Sequence, residues 1–211
     1  MSRSQMARES RRAVVRRRRR RRRRLTLLVG VAGLAALVAF VVLPRLPGAV
    51  LELTLPLRHE DIIRQQAAEK QLDPSLVAAV IYAESRFRDQ TSHAGARGLM
   101  QITPATARYI AHLSGGTKFE QGDLATPQIN ISYGTYYLRY LLRRYRHNEV
   151  LALAAYNGGE GNVDRWVARA HTAERSMTTA AIPFAETREY VRQVLSARTR
   201  YRSRYAAQLG L

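Results

Sequence analysis

Apolar residues return at helical spacing in successive stretches from Arg58 to Tyr205, and no period-two run bounded by turns interrupts them. The pattern predicts an all-α domain. A first helix, from about Arg58 to Gln71, carries Ile62, Ile63, Ala67 and Leu72 inward and leaves His59 and Glu60 solvated. Asp73-Pro74 then pairs an N-cap with a proline at the first helical position, where the missing N–H has no intrahelical partner to lose. Leu76, Val77, Val80 and Ile81 define the buried face of that second helix, and Glu84 lies on the same face at its carboxyl end. Thr103-Pro104 and Thr126-Pro127 repeat the cap-and-proline signal. They predict helices to about Leu113, stopped by Gly115-Gly116, and to about Arg146. The longer of these buries Ile129, Ile131, Leu138, Leu141 and Leu142, while Arg139, Arg143, Arg144 and Arg146 form a basic stripe that reads as a solvated face, with contact to anionic wall polymer or lipid headgroups as the alternative. Asn148 caps a short helix, Val150 to Tyr156, followed by one carrying Val163, Trp166 and Val167 and a last one from about Thr187 to Tyr205.

Upstream the pattern changes. Leu25 to Leu43 contains no charged residue, and at about 1.5 Å per residue it is long enough for a hydrocarbon core of roughly 30 Å. The net charge of +19 over 211 residues is concentrated just before it. Residues 1–24 hold thirteen arginines against one glutamate, a charge of +12 that leaves +7 for the rest. An isolated arginine run reads as a nucleic-acid arm. Beside an apolar span it reads instead as the cytoplasmic flank of a single-pass anchor, so no nucleic-acid partner is expected. A cleaved signal is disfavoured, because the apolar run exceeds a usual signal core and Pro47 spoils the small-residue site before Ala49. The expected division is a tail over 1–24, a transmembrane anchor over 25–43, a linker over 44–56 broken by Pro44, Pro47, Gly48 and Pro56, and an extracytoplasmic domain over 57–211. The chain has no cysteine, so disulfides and thiolate chemistry are excluded.

Glu84 is the candidate for chemistry. Apolar neighbours and the negative end of a helix both disfavour ionisation and push a carboxyl toward the range of a general acid near neutrality. An ion pair with Arg86 or Arg88 is the competing reading. The residues after it, Gly95-Ala96-Arg97-Gly98-Leu99-Met100-Gln101, place glycines where a backbone can approach a ligand closely.

Glu84-Ser85, Gly98-Leu99-Met100-Gln101, Ala155-Tyr156-Asn157 and Pro183 to Val191 follow one another in an order that resembles the family 1 lytic transglycosylases, whose catalytic domain is related to goose-type lysozyme. The resemblance spans roughly Leu57 to Ala197. It implies a lysozyme-like α domain acting on peptidoglycan glycan strands without metal or cofactor. Glu84 would be the single acid and base, and Ser85 would bind beside the cleaved bond. Met100 and Gln101 would line the sugar cleft, with the Gly98 backbone allowing close approach. Tyr156 and Asn157 would form the opposite wall, and Tyr190 would position Glu84. Asn130, Gly134, Tyr137 and Leu138 also match the pattern and are expected to pack helices. The loop from Phe87 to Gly95 is about one residue shorter than usual and lacks a common proline. A hydrolytic muramidase would need a second carboxylate, for which Asp89, Glu120, Asp123, Glu160 and Asp164 are candidates without a supporting motif. A non-catalytic wall-binding module would not need Glu84.

Overall fold

The computed structural model describes residues 53–115, 120–173 and 176–211, together with Leu34. The chain divides into two units, Met1–Thr54 and Leu55–Leu211. The predicted tail and anchor lie outside the described residues except for Leu34, and among the described residues no helix is long and apolar enough to cross a membrane. Leu55 and Pro56, read as linker, belong to the second unit. Leu55 is 2% exposed, and the hydroxyls of Tyr205 and Tyr201 donate to the carbonyls of Leu55 and Pro56.

That second unit is all-α. In chain order it contains α1 (Glu60–Lys70), α2 (Pro74–Ser85), α3 (Pro104–Leu113), a 3₁₀ turn (Gln121–Ala125), α4 (Pro127–Arg144), α5 (Glu149–Gly158), α6 (Glu160–Thr172), a second 3₁₀ turn (Thr179–Ala181), α7 (Ala185–Arg204) and α8 (Ala206–Leu209). Three predicted caps form. Ser75 N–H donates to Asp73 at 2.8 Å, Thr106 N–H to Thr103 at 3.1 Å and Leu151 N–H to Asn148 at 3.1 Å. Thr126 occupies the cap position of α4 but makes no side-chain cap bond.

The second helix departs from its predicted single buried face. Every residue from Ser75 to Tyr82 is buried, so α2 is enclosed on all sides, as a helix apolar around its whole circumference must be. It runs along α7, while α4 packs on α1 and α5, and α5 also meets α7. Tyr201 of α7 is fully buried against Tyr82 and Phe87, each ring centroid 6.1 Å away. This central position fixes the direction in which α2 delivers its last turn.

Candidate active site

Glu84 stands in that last turn, half-buried. Burial pushes its carboxyl up to about 7, and Tyr190 acts in the opposite direction. No ion pair to Arg86 or Arg88 forms among the described residues. The Arg86 guanidinium instead lies over the Tyr82 ring, 5.3 Å from its centroid. Two successive residues, Arg86 (φ 52°) and Phe87 (φ 61°), then turn left-handed, a conformation that costs about 1–2 kcal/mol for a residue with a Cβ. Burial of Phe87, 3% exposed against Tyr201, offsets that cost and bends the chain away immediately after Glu84.

The chain returns as a tied loop. Arg97 and Ile102 exchange backbone bonds at 3.0 Å, and Gly98 N–H donates to the Gln90 carbonyl at 3.0 Å. Gly98 has φ +75°, and a Cβ there would fall 2.2 Å from the Asn130 amide and 2.6 Å from the Leu124 carbonyl. Close approach therefore does occur at Gly98, but the group it admits is Asn130. That asparagine, 1% exposed, donates to the carbonyls of Arg97 and Leu124, both at 2.9 Å, and accepts from Met100 N–H at 2.7 Å. Helix packing, its expected part, is the smaller share of what it does, because it holds the loop's backbone.

Met100 differs from its expected place on the cleft surface. Its side chain is fully buried, and a Cβ on Gly134 would lie 2.3 Å from the Met100 sulfur, so the thioether fills the space that Gly134 leaves. Its carbonyl accepts from the Tyr156 hydroxyl at 3.0 Å. Gln101 is half-buried, and its amide donates to the Gly98 and Gln90 carbonyls at 2.8 and 3.0 Å, bracing the loop from within. Ser85 is 4% exposed and donates back along α2 to the Ile81 carbonyl at 3.2 Å.

The opposite wall comes from α5 and α7. Tyr156 is half-buried, and Asn157 is exposed with its side-chain oxygen accepting from Thr187 at 2.8 Å. Thr187, read from the sequence only as the start of the last helix and a member of the Pro183 to Val191 motif, thereby ties the end of α5 to α7. Burial first, and then the charge of Glu84, raise the hydroxyls of both Tyr156 and Tyr190 well above their ordinary value. Tyr190 is 7% exposed, and its hydroxyl has no partner at normal bonding geometry among the described residues. Its influence on Glu84 is therefore that of a loose contact rather than of a well-formed hydrogen bond.

The description "Transglycosylase SLT domain" matches residues 61–178, which enclose Glu84, the tied loop and the Tyr156 wall. The chain belongs to the transglycosylase SLT domain family. Over 155 residues it is 34% identical to the soluble lytic murein transglycosylase of Escherichia coli, covering 72% of this chain and 24% of that protein. It is also 30% identical over 162 residues to membrane-bound lytic murein transglycosylase C of Actinobacillus pleuropneumoniae, covering 66% of this chain and 44% of the relative. Among solved structures, the 70 kDa soluble lytic transglycosylase of E. coli superimposes with a TM-score of 0.66 at 33% identity, covering 72% of this chain and 25% of that one. An inactive glutamate-to-glutamine mutant of Slt from Pseudomonas aeruginosa gives 0.67 at 32% identity, covering 74% and 26%. The chain thus spans about a quarter of the length of the soluble relatives it matches.

Within the SLT domain Glu160, Asp164 and Asp123 bond to groups other than Glu84. Glu160 accepts from Tyr137 at 3.3 Å, Tyr140 at 3.0 Å and Arg144 at 3.1 Å, and Asp164 accepts from Arg144 at 2.7 Å and Tyr145 at 3.0 Å. Asp123 accepts from the Glu120 N–H at 3.2 Å in the first 3₁₀ turn, and Asp89 is exposed. None of these carboxylates is among the groups that shift Glu84.

Proposed function

We propose that the protein is a membrane-anchored lytic transglycosylase that cleaves the β-1,4 bond between N-acetylmuramic acid and N-acetylglucosamine in peptidoglycan without water. The observation that carries the reading is Glu84, a carboxyl on the last turn of α2 that burial pushes up to about 7, with no other carboxylate among the described residues shifting it. Ordinary retaining and inverting glycosidases need two carboxylates flanking the bond. One suffices if the nucleophile is supplied by the substrate. Protonated Glu84 gives its proton to the glycosidic oxygen. The resulting carboxylate then takes the proton of the muramic C6 hydroxyl, whose oxygen bonds to C1 of the same ring. That intramolecular attack has a high effective molarity, and it leaves a 1,6-anhydro end. A group whose pKa lies near the working pH serves both half-steps.

The remaining site residues divide between contact and support. Tyr156 and Asn157 face the sugar, with Tyr156 held by the Met100 carbonyl and Asn157 by Thr187. Gln101 meets the substrate from the tied loop, whose shape depends on Gly98 and on buried Met100. Ser85 lies beside the bond to be cleaved, and Tyr190 steadies the ionised state of Glu84. The lytic murein transglycosylases among its relatives support the activity, as does the inactivity of the related glutamate-to-glutamine mutant. Anchoring rests on the arginine run before the uncharged stretch 25–43, and the name of the membrane-bound relative agrees with it.

The test is mass spectrometry of muropeptides released from purified peptidoglycan. Anhydro ends are expected. Reducible ends, heavier by one water, would make the enzyme a hydrolytic muramidase. Release of no product by the folded protein would leave a wall-binding module.

A further inference from the structure

The basic stripe on α4 divides in the fold. Arg144 turns toward Glu160 and Asp164. Arg139 and Arg143 turn the other way and border, with Lys70, Tyr136 and Tyr140, a cavity of about 400 Å³ between the end of α1 and the second half of α4. Arg139 donates to the Gln71 side-chain oxygen at 2.8 Å, a neutral acceptor that fixes the guanidinium without compensating its charge. Arg143 is exposed and makes no ion pair among the described residues. Lys70 is shared between Gln66 and Glu69, both at 2.8 Å, and Glu69 is the one carboxylate on the rim. Three cationic side chains therefore face one anionic one. A line of rings leads from the cavity toward the site. The Tyr140 ring stacks on Tyr137 with centroids 6.2 Å apart, and Tyr137 lies 5.5 Å from Tyr156 of the opposite wall.

We propose that this cavity binds a free carboxylate of the short peptides that branch from a peptidoglycan strand. The inference rests on the reading of peptidoglycan as substrate. The sugar backbone of such a strand is nearly neutral, and its negative charge is carried on the peptides. A guanidinium fork matches a carboxylate in geometry as well as charge, and arginines one turn apart on a helix converge on a group of that size. The recess, lined by Tyr136 and Tyr140, admits a carboxylate on a flexible peptide. A phosphate fixed in a lipid surface would need a protruding basic face.

The test compares the full chain with its Arg139→Ala/Arg143→Ala variant on two substrates, peptide-bearing glycan strands and the same strands stripped of peptides by an amidase. For peptide-bearing strands KM is expected to rise roughly tenfold, the loss of one good charged contact, with kcat unchanged. For stripped strands neither constant should move. An Arg139→Lys/Arg143→Lys variant, which keeps the charge, should recover part of the loss, and unchanged melting separates the effect from unfolding. Equal changes on both substrates, or none, would overturn the proposal. So would release of the protein from anionic phospholipid vesicles by the same double substitution with no change in KM. Calorimetric binding of a free stem tetrapeptide gives an arm independent of turnover. If wild type cleaves neither substrate but binds the peptide through these arginines, the carboxylate site stands and the catalytic reading falls.

Discussion

The two ends of α2 carry carboxylates that the fold treats in opposite ways. At the amino end Asp73 accepts from the Ser75 N–H and hydroxyl at 2.8 and 2.6 Å, from Arg198 at 2.8 Å and from Arg202 at 2.9 Å. Burial alone would raise its carboxyl, but the Ser75 and Arg198 bonds outweigh burial and hold it below the usual aspartate range. At the carboxyl end Glu84 is buried with only Tyr190 to oppose that burial, and it rises to about 7. The helix dipole favours the first charge and disfavours the second. Cations are recruited to one end alone, and Arg198 goes further by donating to both oxygens of Glu149, each at 2.7 Å, which binds α7 to α5 as well. One carboxylate is thereby made part of the frame and the other is left able to take up a proton near neutrality.

The sharpest way to break that division is Glu84→Gln, which keeps the shape and removes the proton. Glycan cleavage should fall by about 10²–10⁴-fold. A rate within tenfold of wild type, measured on a variant with unchanged melting, would reassign the acid.

The same substitution should stabilise the fold at neutral pH. Glu84 has a folded pKa above its ordinary 4.5, so its favourable protonated state is fully populated below 4.5 and is lost as pH rises through about 7. Across that interval the wild type loses up to about 3 kcal/mol relative to a side chain that does not titrate. Urea unfolding at pH 4.5 and pH 8 should therefore show the Glu84→Gln advantage growing with pH. An advantage independent of pH would mean the carboxyl is not desolvated.

Asp73→Ala should act with the opposite sign. It removes an N-cap and the partner of Arg198, and a loss of about 1–2 kcal/mol at pH 7 is expected. Because the Asp73 pKa is lowered, its contribution is present above 3.8 and disappears as pH falls through the folded value. The gap between variant and wild type should close in acid, and a gap that persisted there would assign the loss to packing. The smallest effect belongs to Tyr190→Phe. Removing the hydroxyl that favours the ionised form raises the Glu84 pKa, so the alkaline limb of the pH–rate profile should move to higher pH. An unmoved limb would separate Tyr190 from Glu84.

Asp73 and Glu84 were both legible in the chain, because a cap before proline and an acid on an apolar helical face are local patterns. What Asn130 does was legible only in part. The family pattern marked it for helix packing, but its three bonds reach residues 6, 30 and 33 positions away, and no local pattern reports them. Met100 looked like a cleft residue until Gly134, a full loop and helix later, supplied the space it fills. Arg144 looked like part of a solvated stripe for the same reason, since its partners Glu160 and Asp164 lie on α6. The left-handed pair Arg86-Phe87 is sustained by contact with Tyr201, which no local propensity reports. Periodicity found the elements, and contacts between distant elements decided what each side chain does.

The bonds from Tyr201 and Tyr205 to the carbonyls of Pro56 and Leu55 bear on where the second unit begins. A fragment started at Leu57, the boundary suggested by the prolines, would strip two phenols of their acceptors and remove the buried Leu55 side chain. One started at Leu53 or Thr54 keeps the latch closed. The shorter fragment should melt earlier and digest faster from its amino end, although neither deletion comes near Glu84 in sequence.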